Sequence, residues 1–348
     1  MSAPSKIRAV LIGAGGWGLQ LARILSRHPD VDFRAIAGRT SEKTRNRAAQ
    51  FGVRAYTNIT ELLAKEKPDL AFLSLPNEGH FQPTLEVIRA GVPLFVEKPL
   101  VFDLPEADQL LQEAADRNLF FGINFNHHYA RPVALAHHAI QQGRLGDLTF
   151  ATWRFGGEGG VSHPFNNLLE TQCHAFDMLE FLCGPIDSVM AQMTDKTHPG
   201  TYRTLVLALH FANGAVGSLA GSYDSSYAYP DTHRVELNGT KGRILIEDTV
   251  RRYSFNAAGC ETAEVWQAGY FNDRDRDFYL TFDRHMDAML EAFKAGQQPP
   301  IHARAGRRAL QLALAAIESF SSGKRIGVPI DSFEPAAQPK ILPPPPNP

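Results

Sequence analysis

Along the first third of the chain, short apolar runs alternate with longer amphipathic stretches, the pattern of a parallel sheet with crossover helices. The runs predict strands at Arg8 to Ile12, Phe33 to Ala37, Leu70 to Leu75 and Pro93 to Glu97, and another at Phe120 to Asn124. Between them, helical spacing predicts helices over Trp17 to Ser26, Glu42 to Phe51, Ile59 to Ala64, Phe81 to Ala90, which Gly91 ends, and Pro105 to Arg117. Residues 1–123 thus read as a doubly wound Rossmann-type domain.

From Leu148 the rhythm changes to longer alternating strands joined by turn dipeptides. Leu205 to Phe211 and Ala215 to Ala220 flank Asn213-Gly214, and Val235 to Leu237 and Arg243 to Ile246 flank Gly239 to Gly242, which predicts hairpins at both places. Helical patterns fall at Val133 to Gln141, Asn167 to Leu182, Phe282 to Ala295 and Arg304 to Ser322. Residues 124–330 read as an α+β domain with a large, mostly antiparallel open sheet and helices on one face. Leu205, Leu207, Leu209 and Phe211 line one sheet face, while Val206 and Ala208 leave the other only weakly polar. An apolar sheet surface needs cover, so a homodimer or homotetramer joined through the sheets is expected. Residues 331–348 form a Pro-rich tail, loosely held or an extended arm.

At 348 residues the chain is too long for a single core, which agrees with this division. Lys plus Arg (35) nearly balances Asp plus Glu (37), leaving no basic excess for a nucleic-acid partner. No run approaches a membrane span, and the first apolar stretch is too short for a signal peptide. Cys173, Cys183 and Cys260 form no C-x-x-C pair, so neither a disulfide framework nor a zinc knuckle is indicated and a cytoplasmic location is expected.

Gly13-Ala14-Gly15-Gly16-Trp17-Gly18 follows the first strand and opens the first helix, the context in which G-x-G-x-x-G cradles a dinucleotide pyrophosphate on backbone N–H groups. Pro76-Asn77-Glu78-Gly79-His80 and Glu97-Lys98-Pro99 lie at carboxyl ends of strands, where open α/β sheets bind ligands. Lys98 can point over the cofactor; paired with Glu97, it could instead be an ordinary strand-end lysine. Glu170, His174 and Asp177 stand at helical spacing on one face of an otherwise apolar helix, which suits a site but also a structural hydrogen-bonded cluster. A metal site on that face would need further ligands, and no H-E-x-x-H pattern supplies them, so none is assigned.

Together, the glycine motif, Pro76 to His80, Glu97-Lys98-Pro99, and His174 with an acid four residues before and Asp177 three after resemble the Gfo/Idh/MocA family of oxidoreductases. The likeness covers nearly the whole chain, including the ending around Arg304 to Ser322, Gly323 and Val328. It implies a Rossmann domain for NAD or NADP, an α/β sheet domain for substrate, and Lys98 and His174 as the family's lysine and histidine. The family's first acid is commonly an aspartate followed two residues later by glycine; here it is Glu170 followed by Gln172.

The resulting expectation is an NAD(P)-dependent dehydrogenase or reductase acting on a secondary alcohol or ketone of a sugar, inositol or related polyol. His174 would exchange the hydroxyl proton, Lys98 would stabilise the charge on the same oxygen, and Glu170 would orient one of these cations. Asn124, Asn126 and the tandem His127-His128 are candidates to hold substrate hydroxyls or, equally, a polar strand end and connector. The cofactor contacts expected are Gly13, Gly15, Gly16, Trp17, Gly18, Pro76, Asn77, His80, Glu97 and Lys98, with Arg39, Thr40 and Ser41 at the end of the second strand. Asp32 precedes that strand, so no acid meets the ribose; Arg39 can clamp a 2′-phosphate, and NADP is favoured over NAD. Thr40 or Ser41 could instead cap the helix that follows. A redox-neutral, glycosidase-type use of NAD, a cofactor-sensing binding protein and a reductase of a bulky non-sugar substrate are the rival readings.

Overall fold

In a computed structural model, which describes residues 6–76, 79–160 and 162–330, the apolar runs of the first third become strands β1 (Ile7–Ile12), β2 (Val31–Ala37), β3 (Arg54–Tyr56), β4 (Leu70–Leu73), β5 (Leu94–Val96) and β6 (Phe121–Ile123). Helices α1 (Gly16–Arg27), α2 (Ser41–Phe51), α3 (Ile59–Glu66), α4 (Phe81–Arg89) and α5 (Leu104–Asp116) connect them. The sheet order is β3-β2-β1-β4-β5-β6, every pair parallel. Order reverses between β1 and β4, the switch point at which such sheets bind ligands. All residues of β4 and β5 are buried, as expected of strands covered on both faces. Local chemistry sets the helix limits. Asn58 caps α3 through the Glu61 amide (2.7 Å), Asp103 caps α5 ahead of Pro105, and Gly52 ends α2 in the left-handed region (φ 65°).

The chain falls into two compact units, one of residues up to 124 with 289–307, the other of 125–288 with the chain from 308 on. A boundary drawn along the sequence leaves 289–307 in the second domain, yet this segment packs with the first. The Ile123 amide donates to the Ile301 carbonyl (3.1 Å) and the Ala303 amide to the Phe121 carbonyl (2.9 Å). Residues 301–303 thus run antiparallel along β6 and occupy what would be an open sheet edge. Phe293 meets Phe120 edge-on at 5.4 Å, and Lys294 bonds Asp30 at 2.7 Å.

The second unit is built on α6 (Arg131–Gln141), β7 (Leu148–Gly156), α7 (Cys173–Cys183), β8 (Ile186–Thr194), β9 (Thr204–Phe211), β10 (Val216–Ser222), β11 (His233–Gly239), β12 (Gly242–Glu247), β13 (Arg252–Ala257) and β14 (Glu264–Gln267). Later come α8 (Asp273–Arg276), α9 (Leu280–Lys294), α10 (Arg304–Ser322) and β15 (Ile326–Gly327). The sheet order is β14-β13-β12-β11-β7-β10-β9-β8-β15; β7 and β10 pair parallel and the other neighbours antiparallel. Both predicted hairpins form, at Asn213-Gly214 and between β11 and β12.

Leu205, Leu207, Leu209 and Phe211 are buried on one face of β9. On the other face Phe150, Met190, Val206 and Val216 are 41% to 53% exposed. By register Val216 lies opposite Phe150, Ala208 opposite Met190, and Val206 opposite Ala220, with Ser218 and His210 between the two groups. A buried ion pair joins α7 to α10, with Arg308 Nη2 at 2.8 Å from Glu180, and Arg308 also donates to the carbonyl of Ile186 at 2.6 Å. Among the described residues no helix is long and apolar enough to cross a membrane. The Pro-rich tail lies outside the described residues.

Candidate active site

The carboxyl ends of β1, β2 and β4 surround a cleft lined by Gly13 to Trp17, Gly38 to Thr40, Lys43, Thr44 and Ser74 to Pro76. Gly13 has φ 134°, and a β-carbon there would lie 1.9 Å from the Ser74 carbonyl oxygen; one at Gly18 would lie 2.2 Å from the Gly13 carbonyl oxygen. These two glycines are required by packing. Gly15 and Gly16 differ, because a β-carbon on either would meet nothing within 4 Å. Their backbone faces open space at the amino end of α1, whose first turn holds no acid and whose N-cap Gly15 offers no side chain. Exposed N–H groups at a positive helix end, with room above them, fit a pyrophosphate.

At the end of β2, Arg39 and Thr40 line the same cleft. Thr40 occupies the N-cap of α2 without making a side-chain capping bond, whereas Ser41 is exposed and outside the lining. Lys43, one helical turn beyond Arg39, also lines the cleft. Sequence reading missed it, although a second cation four residues after the first was the available signal. Asp32 lies at the opposite end of β2, where its carboxylate accepts from Arg34 at 2.8 Å.

Of the motif after β4, Pro76 lines the cleft and Asn77 lies outside the described residues. His80 is buried, its Nε2 2.9 Å from the Leu75 carbonyl, and burial pushes its pKa down, with the Lys98 charge pulling the same way. Glu97 is buried at the end of β5 and accepts from Asn124 Nδ2 at 2.8 Å. Burial pushes the Glu97 carboxyl up, with Asn124 and the Lys98 charge opposing. Neither His80 nor Glu97 lines the cleft; each braces the turn that presents Lys98, which is partly exposed and precedes a cis proline.

In the second unit the predicted continuous helix from Asn167 to Leu182 is broken. Asn167–Thr171 is a π-helical turn, Gln172 follows it, and α7 starts at Cys173. The wider turn re-aims Glu170, so simple helical spacing does not keep Glu170 and Asp177 in one cluster. Glu170 accepts from Asn166 Nδ2 at 2.7 Å. Asp177 instead turns to His128, Oδ2 to Nε2 at 2.6 Å, both side chains being at most 5% exposed. His174 stacks on His127, ring centroids 4.1 Å apart and planes 2° from parallel. The 3-10 turn Asn126–Tyr129 therefore sets its adjacent histidines against two residues of α7. The Asn126 amide donates to Thr281 Oγ1 at 2.6 Å, which makes it a brace for that turn.

Gln172, where the family pattern has glycine, accepts from Trp153 Nε1 at 3.0 Å and donates to Asn167 Oδ1 at 2.9 Å. Room for it comes from Gly221, where a β-carbon would lie 2.6 Å from the Gln172 amide carbon. Tyr223 and Tyr227 complete this region: the Tyr223 hydroxyl is 2.6 Å from Thr171 Oγ1, and burial followed by the Glu170 charge pushes both phenols up. Gly157 packs on Tyr227 and Gly159 on Tyr223, each too tightly for a β-carbon. The glycine-rich run after Phe155 was the overlooked sequence signal. Among the described residues no three His, Cys, Asp or Glu side chains gather as metal ligands.

Residues 7–125 match the family model for the NAD-binding Rossmann fold of the GFO/IDH/MocA oxidoreductases, and residues 133–245 match the model for a C-terminal domain of that family. Myo-inositol 2-dehydrogenase of Thermotoga maritima is 25% identical over 341 residues, covering 92% of this chain and 98% of that protein. The 2,7-anhydro-N-acetylneuraminate hydratase of Mediterraneibacter gnavus is 21% identical over 311 residues, covering 84% and 80%. A solved levoglucosan dehydrogenase in complex with NADH and L-sorbose shares the fold, with TM-score 0.83 and 18% identity over 94% of this chain and all (100%) of that one.

The two kinds of glycine give a test. Gly15→Val, placed in open space at an ordinary φ, should leave the melting temperature near wild type while weakening dinucleotide binding by calorimetry about tenfold or more. Gly13→Ala should lose stability as well. Unchanged affinity in Gly15→Val would show that the pyrophosphate does not lie against that backbone.

Proposed function

The chain belongs to the Gfo/Idh/MocA family of oxidoreductases, and on that premise we propose that it moves hydride between NADP and a secondary alcohol, or its ketone, in a sugar, inositol or related polyol. The observation that carries this reading is the open cradle over Gly15 and Gly16 at the start of α1. The nicotinamide, when bound, supplies or accepts the hydride. His174 takes the hydroxyl proton in oxidation and returns it in reduction, since an imidazole titrates close to working pH. Lys98 donates a hydrogen bond to the same oxygen and stabilises its developing charge. Glu170, steadied by Asn166, accepts from substrate hydroxyls. The polyol class is supported by the relatives named as inositol dehydrogenases.

Arg39 and Lys43 supply two cations at the ribose end of the cleft and Thr40 a hydroxyl that makes no capping bond, while Asp32 is engaged at the far end of β2. This set suits a 2′-phosphate. A redox-neutral use of the cofactor is the second reading, favoured by the likeness to a hydratase. Net change in nicotinamide absorbance separates the two. The exposed side chains of Phe150, Met190, Val206 and Val216 mark the surface through which a second copy of this chain would associate.

His174→Ala and Lys98→Ala should each lower kcat about a hundredfold or more while dinucleotide affinity is kept; near-normal turnover in His174→Ala would overturn the assignment. Arg39→Ala should raise KM for NADP far more than for NAD. An equal effect on both, or a wild-type preference for NAD, would assign Arg39 a different contact. Light scattering should report a dimer or tetramer, and Val206→Glu should shift it toward monomer. A wild-type monomer at micromolar concentration would contradict the sheet-face association.

A further inference from the structure

Because β7 and β10 pair in parallel, the segments that follow them leave the same end of the sheet side by side. The glycine-rich run after β7 seats the tyrosines that follow β10. A β-carbon at Gly159 would fall 2.2 Å from the Tyr223 ring, and one at Gly157 would fall 2.4 Å from Cζ of Tyr227 and 2.7 Å from its hydroxyl oxygen. The two rings differ in what they do with this seat. Tyr223 is 4% exposed and its hydroxyl is bonded to Thr171 at 2.6 Å, which ties the segment to the π turn. Tyr227 is 55% exposed, so its phenol end is held while much of the ring stays open.

A single exposed aromatic residue is ordinary, and only its position gives it meaning. Two neighbours supply that position. Strand alternation turns Trp153 and Phe155 to the face of β7 opposite Arg154. Phe155 meets His127 at 6.4 Å on one side and Tyr227 at 6.3 Å on the other, and His127 stacks on His174. The second neighbour is Glu170, whose charge, after burial and ahead of Glu158, pushes the Tyr227 phenol up and keeps it protonated. Tyr229, two residues on, goes elsewhere: it lines a cavity with Arg154 and Val206, side chains of the opposite sheet face, and Tyr227 is not among the walls of that cavity.

Resting on the reading of this site as that of a polyol dehydrogenase, we infer that Tyr227 is a specificity-determining residue: a ring on which a cyclic polyol lays its C–H face while the hydroxyls at its rim turn to Glu170 and His174. A pyranose or cyclitol with mostly equatorial hydroxyls carries axial C–H bonds on its faces and polar groups round its edge. Its C–H hydrogens meet the negative face of the π system, and both apolar surfaces leave water. The carboxylate beside the ring accepts from the edge. An open-chain polyol has no such face, so the site selects cyclic substrates over linear ones.

Calorimetric titration of the full chain tests this with two ring compounds, myo-inositol and D-glucose, and one open-chain compound, D-mannitol. The wild type should bind the ring compounds more tightly than mannitol. Tyr227→Ala, at a position more than half exposed, should melt near the wild-type temperature and bind the ring compounds about tenfold more weakly, with little change for mannitol. Tyr227→Phe keeps the ring and should restore the affinity. Unaltered ring-compound affinity in Tyr227→Ala, a Phe variant as weak as Ala, an equal loss for mannitol, or a wild type that binds neither ring compound would overturn the inference. Should the alanine variant fail to fold, saturation-transfer magnetic resonance of the wild type decides it: magnetisation should pass from aromatic protons to the C–H protons of myo-inositol, and deuteration of the tyrosine rings should diminish it. Undiminished transfer would overturn the inference. These measurements need no turnover. Absence of nicotinamide reduction with every polyol would sink the dehydrogenase reading and leave the ring contact standing, whereas turnover of a ring polyol with unaltered KM in Tyr227→Ala would do the reverse.

Discussion

A β-carbon at Gly13 would sit 1.9 Å from the Ser74 carbonyl oxygen, and one at Gly18 would sit 2.2 Å from that of Gly13. The end of β1, the first turn of α1 and the end of β4 are nested backbone against backbone. Hydrogen bonds from Gly13 N to Ala37 O and from Ser74 N to Ile12 O, each 2.8 Å, tie the same point to both neighbouring strands. Fixed on either side, the turn must bow outward over Gly15 and Gly16, and that bow is the cradle. The cleft also depends on this nesting for its walls, since Arg39 and Thr40 follow the strand end held at Ala37, and Leu75 and Pro76 follow Ser74.

How legible each part was in the sequence follows from what holds it together. Strands buried on both faces announce themselves as apolar runs, so β1, β4 and β5 were read to within a residue or two. β3 was not read, because Arg54 and Ala55 are exposed and it pairs with β2 alone, at the sheet's edge. Nor could the segment at 301–303 be placed, since it joins β6 through backbone groups, which every sequence has. At the site, the glycine motif was legible because close backbone approach leaves only one residue type. The π turn at Asn167–Thr171 was not, because its side chains are those of an ordinary amphipathic helix.

The polar residues that sequence reading gathered into one site divide by burial. Glu97, His80, Asp177 and Asn126 are enclosed, and each has its hydrogen bond within its own unit. A buried polar group without a partner costs stability, so these pairings come first, and their effect is to fix the turns that carry other side chains. The Glu97–Asn124 bond sits directly before Lys98, and the Asp177–His128 pair sits one helical turn from His174.

The same logic accounts for the departure at Gln172. A glycine there would leave Trp153 Nε1 and Asn167 Oδ1 without the amide that now serves both. The side chain is admitted only because position 221, on β10, is glycine. Residue 172 also closes the π turn, its amide donating to the Asn167 carbonyl and its own carbonyl accepting from Ala175 at 2.9 Å, as α7 begins. Gln172 thereby sits at the junction between Glu170 and His174 and carries packing and hydrogen bonds there that a glycine could not.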